Sequence, residues 1–171
     1  RNRSYIEQLV TGDFHACVLK PYDEVKCWGG DFVGETQAPE GLSEVRFLAA
    51  GTFNSCAFDA RGVSCWGDDS YGQVSQVPKD LFNVKQIAIG RDCIYALTDQ
   101  EVRKWGLCDD VPELKNPRTI SASEHHHCAI DDEGLKCWGT NAYGEITVPS
   151  LKNPKTVSAG DFHTCALDDD G

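Results

Sequence analysis

The sequence predicts an all-β chain made of β-propeller blades, with four complete repeats and the start of a fifth. Three observations carry that expectation. Trp-Gly pairs recur, with Trp28, Trp66, Trp105 and Trp138 spaced by 38, 39 and 33 residues, and each Trp follows Gly12, Gly51, Gly90 or Ser123 by 15 or 16 positions. Between these markers lie short alternating strands broken by Gly, Asp and Pro. No stretch holds a helical period long enough to compete. Counted from the leading small residue, the repeats run over residues 12–50, 51–89, 90–122 and 123–159, with a partial unit over 160–171.

Within a unit the elements follow in a fixed order. An apolar strand ends in Ala-Gly or its like, as at residues 45–51 and 156–160. A second strand follows at 55–58 or 164–167, then a polar turn, Asp59-Ala60-Arg61-Gly62 or Asp131-Asp132-Glu133-Gly134, of the residue types that hairpin turns favour. The third strand carries the Trp, as in Val63-Ser64-Cys65-Trp66-Gly67. A loop such as Asp68-Asp69-Ser70-Tyr71-Gly72-Gln73 then leads to Val77-Pro78 or Val148-Pro149. A unit this small cannot bury both faces alone, and radial stacking solves the problem. Closing a ring needs residues outside this sequence or a second chain.

The run Gly160-Asp161-Phe162-His163-Thr164-Cys165-Ala166-Leu167, with Val-x-Cys-Trp-Gly in the other units, resembles the repeat of the regulator of chromosome condensation family. The segments at residues 72–78 and 144–149 look most like the propeller-type β-lactamase inhibitor branch. The resemblance covers essentially the whole chain and implies a seven-bladed propeller. It does not fix a function, because the family includes exchange factors, photoreceptors, enzyme inhibitors and bacterial surface proteins. The photoreceptor branch places Trp where Phe14, Phe53 and Phe162 stand here, which argues against a light sensor. A nuclear, chromatin-bound role suits neither the acidity nor the cysteine content.

Nine cysteines are too many for an ordinary cytosolic domain. In an antiparallel hairpin the numbers of facing residues have a constant sum. If Cys56 faces Cys65, Phe58 faces Val63; likewise Cys128 faces Cys137, and Cys17 faces Cys27 around a turn one residue longer. Facing β-carbons lie close to the range a disulfide needs. The third unit has Tyr95 and Lys104 at the two equivalent positions, so both cysteines are missing together, and its Cys93 and Cys108 form a candidate pair of their own. Cys165 is left over because the sequence stops before the position of its partner. Zinc is the weaker reading, since the cysteines stand nine or ten residues apart on strands. Disulfides imply a secreted, periplasmic or cell-surface location.

The formal charge of −11 repels nucleic acid and anionic lipid, and no apolar run is long enough to span a membrane. The lack of Met and the start at Arg1-Asn2-Arg3-Ser4 suggest a piece cut from a longer chain. His125-His126-His127 invites a metal, but alternate strand residues point to opposite faces, and His126 shares its repeat position with His15 and His163, which favours a structural hydrogen bond. The acidic runs before Gly134 and Gly171 read as turns, without the spaced ligands of a calcium loop. No catalytic motif or cofactor signature is present, so no enzyme and no cofactor are expected. The tryptophans are expected to pack between blades.

What varies between units lies on loops. The candidate partner-binding residues are Asp13, Phe14, Phe53, Asp161 and Phe162 after the leading small residues, and Phe32, Tyr71 and Tyr143 after Trp-Gly. Loop aromatics beside acids are the types that dominate interface energy. The expected function is recognition of another protein, as an enzyme inhibitor or adhesin. A glycan-binding propeller and a purely structural module of a larger surface protein are the alternatives.

Overall fold

A computed structural model describes residues 5–170. Gly171, the last residue of the acidic run at 168–171, lies outside the described residues. The chain divides into two compact units, Arg1–Phe82 and Asn83–Gly171.

The first unit holds two three-stranded antiparallel sheets. One is β1 (Gln8–Thr11), β2 (His15–Lys20) and β3 (Glu24–Gly29); the other is β4 (Phe47–Ala50), β5 (Asn54–Asp59) and β6 (Gly62–Gly67). The second unit repeats the pattern with β7 (Gln86–Ile89), β8 (Cys93–Leu97) and β9 (Val102–Gly106), then β10 (Thr119–Ala122), β11 (His126–Asp131) and β12 (Gly134–Gly139). It ends on a two-stranded sheet, β13 (Thr156–Ala159) and β14 (Thr164–Leu167). Strands follow one another in sequence order, each sheet a meander that takes in the strand before the leading small residue.

The registers are those of the constant-sum argument. Cys56 faces Cys65 and Phe58 faces Val63, Cys128 faces Cys137, Cys17 faces Cys27, and Tyr95 faces Lys104. The sulfur atoms of Cys17 and Cys27, Cys56 and Cys65, Cys93 and Cys108, and Cys128 and Cys137 lie at bonding distance, while Cys165 is exposed and unpaired. The strands run further than the sequence suggested: Asp59 still pairs with Gly62 and Asp131 with Gly134, leaving two-residue turns. Each acid is a turn organiser. Asp59 accepts the N–H of Arg61 and of Ser43, and Asp131 those of Glu133 and Lys115, which fastens the incoming connection to the hairpin.

The central strands β5 and β11 are buried along their whole length, as strands paired on both edges and covered on both faces must be. In the first unit Cys17 and Leu19 of one sheet pack on Leu48, Ala57 and Trp66 of the next. A glutamine joins the sheets where backbones do not pair: Gln8 accepts from the N–H of Leu48 and donates to its carbonyl, and Gln86 accepts from the N–H of Ile120 in the second unit.

Candidate functional site

The loops that follow Trp-Gly share one construction. Gly34, Gly72 and Gly144 adopt φ of 84 to 90°, a left-handed region that glycine enters freely. The next residue, Glu35, Gln73 or Glu145, is buried, and its side-chain oxygen accepts the N–H two residues back, from Val33, Tyr71 or Tyr143, at 2.8 Å in each case. That pin holds the backbone of the residue before the glycine while its side chain stays exposed. Asp31 ties down the far side of the first loop. The Gln37 amide and then the Thr36 N–H hold its carboxyl below the usual range, so it is ionised.

Two of these loops also lock one sheet to the next inside their own unit. The carbonyl of Glu35 accepts the indole N–H of Trp66 at 2.9 Å and the hydroxyl of Ser55 at 3.3 Å. The ring of His15 bonds to that hydroxyl at 2.7 Å. In the second unit the carbonyl of Glu145 accepts the Thr164 hydroxyl at 2.8 Å, and His126 bonds to it at 2.7 Å. Burial lowers the pKa of both His15 and His126, keeping the imidazoles neutral. The histidine position in the repeat is thus a bridge between sheets. Trp66, Trp105 and Trp138 are buried as the packing argument expects, whereas Trp28 is half exposed.

On this scaffold the candidate side chains gather at one end of the strands. In the first unit the rings of Phe14 and Phe53 stack with centroids 5.7 Å apart, and Phe32 meets Phe14 edge-on at 5.8 Å. Phe32 reaches Phe14 because it folds over Gly30, where a β-carbon would lie 2.7 Å from its ring. Phe14, Phe32, Val33, Phe53 and Asp68 line an open hollow of about 450 Å³, with Asp13 exposed beside Phe14. In the second unit Tyr143 meets Phe162 edge-on at 5.3 Å, with Asp161 exposed beside it. Tyr71 is exposed at the end of its loop. Sequence reasoning missed Val33 and Asp68, while His125, one of the variable loop residues in the sequence, has its ring 5.7 Å from Phe162. Val33 carried a signal in the sequence, since it precedes the loop glycine as Tyr71 and Tyr143 do.

The third repeat departs from this plan. Its loop is short, has no Gly-Glu pair and is stapled by Cys93–Cys108. His127 stands where Ser55 and Thr164 stand in other repeats, and Tyr95 replaces the cysteine. Without the loop carbonyl, the Trp138 indole nitrogen, His127 Nδ1 and the Tyr95 hydroxyl have no hydrogen-bond partner, although the three rings lie within 6.0 Å of one another. Burial drives the His127 pKa down to about 4 and the Tyr95 pKa up to about 12. This contrast predicts that Trp66→Phe costs about 1 to 2 kcal/mol more stability than Trp138→Phe, because only Trp66 gives up a hydrogen bond to a loop carbonyl. Denaturant unfolding of the two variants checks it; equal losses would contradict it.

No protein-family model matches the chain. Among solved structures, the ectodomain of the receptor kinase CR4 from Physcomitrella patens is similar with a TM-score of 0.81 and 24% identity, over 98% of this chain and 48% of that one. The ectodomain of the receptor kinase ACR4 from Arabidopsis thaliana gives 0.78 and 25%, over 99% and 61%. Prp20p from Saccharomyces cerevisiae, the yeast RCC1, gives 0.76 and 21%, over 97% and 56%. The chain therefore spans about half to three-fifths of the length of these structures. With its meandering three-stranded sheets, the ties between them and this likeness, the chain has the RCC1-like propeller fold.

Proposed function

We propose that this chain is part of a non-catalytic propeller of a secreted or cell-surface protein that binds a partner protein through its aromatic loop ends, as an enzyme inhibitor or adhesin. The observation that carries the proposal is the ring group at one end of the strands, in which the exposed Phe14 and Phe32 pack with the half-buried Phe53. Exposed aromatic groups on a rigid scaffold mark interaction sites, because most of an interface's energy comes from a few such anchors. The similar structures support a binding role. Prp20p is described with its binding to Gsp1p and histones, and yeast RCC1 was solved with Kap60 bound.

Four cysteine pairs at bonding distance support an oxidising compartment. No helix among the described residues is long and apolar enough to cross a membrane. A seven-bladed ring would be completed by residues beyond these repeats or by a second chain. The net charge of −11 favours a basic partner, whose association rate falls as salt rises.

Replacing Phe14, Phe53, Phe162, Tyr71 and Tyr143 by Ala is expected to abolish partner binding, at about 2 kcal/mol or more for each buried anchor. Tyr71→Ala and Tyr143→Ala are the cleaner probes, since both side chains stand clear of the core. Unchanged affinity in the folded double variant would move the site elsewhere. Binding to a glycan array that survives these changes would favour a lectin.

A further inference from the structure

We infer that the hollow between Phe14, Phe32 and Phe53 is a receptor for a cationic side chain, an arginine or lysine presented by the partner. The inference rests on the protein-binding reading above and names the chemistry of what is bound. Apart from Val33 and Asp68, the residues that line the hollow are phenylalanines. An aromatic ring attracts a cation over its face within about 6 Å, most strongly for a guanidinium. The ring centroids here, 5.7 and 5.8 Å from that of Phe14, are close enough for one guest to touch more than one ring.

The acids decide between a cationic and an apolar guest. An apolar side chain seated in the hollow would take water from Asp68 without offering it a further donor, which is costly. A guanidinium or ammonium pairs with it instead. Asp68 is partly committed, accepting from Ser70 and Gln73, but a carboxylate has room for further donors. Asp13 and Asp31 add negative charge nearby; both lie near enough to act on the neighbouring His15, and Asp31 is ionised. Asp13 is exposed beside Phe14. Among the described residues no lysine or arginine lines the hollow. The long aliphatic stems of Arg and Lys suit an apolar wall, with the charged head at the carboxylate.

The test uses the folded chain and two small probes, n-butylguanidinium and the neutral 1-pentanol, followed by shifts of the phenylalanine ring resonances. Butylguanidinium is expected to bind at least fivefold more tightly than pentanol. Phe14→Ala should weaken its binding at least fivefold, and Asp13→Asn and Asp68→Asn should weaken butylguanidinium while leaving pentanol unchanged. Asp13→Asn keeps the test valid if Asp68→Asn disturbs its loop. Equal affinity for the two probes, cation binding indifferent to Phe14→Ala, or no ring shifts at all would overturn the inference. If the probes bind equally while Phe14→Ala still prevents partner binding, the hollow takes an apolar side chain and the protein-binding reading stands. If the cation binds as expected while partner binding ignores Phe14→Ala, that reading fails by itself.

Discussion

Reduction of the disulfides is expected to lower the unfolding free energy by about 3 kcal/mol for each bridge, from the chain entropy restored to the unfolded state. The bridges join residues 9, 10, 9 and 15 positions apart, so they differ little on this basis. Because neighbouring sheets within each unit share buried apolar clusters, the reduced chain should keep its β-rich spectrum while melting at a lower temperature. Denaturant titration with and without reductant measures the loss, and non-reducing mass spectrometry identifies the linked pairs. Complete unfolding on mild reduction would show that the bridges outweigh the core. Free thiols at these positions in protein isolated from its source would contradict both the bridges and the oxidising compartment.

Stability is expected to fall by about 3 kcal/mol as pH drops from about 6.5 to about 4, through the single side chain of His127. Burial against Tyr95 and Trp138 keeps its imidazole neutral in the fold, with a pKa of about 4, while the unfolded chain protonates it near 6.5. Between those values the unfolded state binds the extra proton, so stability rises with pH across the window and is fully present above it. His15 and His126, whose pKa values burial also lowers, act in the same direction. Replacing His127 by Gln should flatten most of the slope. Denaturant unfolding at several pH values checks it, and an unchanged slope in the variant would place the effect in another group.

The strands, their order and their register were legible in the sequence because each depends on residues inside one repeat. A constant sum fixes which residues of a hairpin face each other, and the joint replacement of two cysteines by Tyr95 and Lys104 marks them as partners. The candidate rings were visible as residue types on loops, but their grouping was not. Phe14 meets Phe32 only because Gly30 leaves space, and Phe53 only because the next sheet brings it there. The same reason hid the glutamine bridges from Gln8 and Gln86. Nor did the sequence show that the short third loop leaves His127 Nδ1 and the Trp138 indole nitrogen without a loop carbonyl to bond, since that carbonyl belongs to the preceding repeat. Asn83, Asn116 and Asn153, with φ of 50 to 54°, escaped notice in the connections, although Asn is the commonest residue after glycine to accept that conformation.

The most direct measurement compares partner binding by variants at the two ends of the strands in the first unit. Phe14→Ala, Phe32→Ala and Phe53→Ala remove the rings at the loop end. Tyr22→Ala and Phe82→Ala remove exposed rings of similar size beside the hairpin turns at the opposite end, where Tyr22 is 99% exposed and Phe82 72%. Affinity measured for each set in the folded protein should fall by at least tenfold for the loop end and stay unchanged for the opposite end. Loss confined to Tyr22 and Phe82, or no loss in either set, would contradict the assignment of the binding site to the aromatic loop ends.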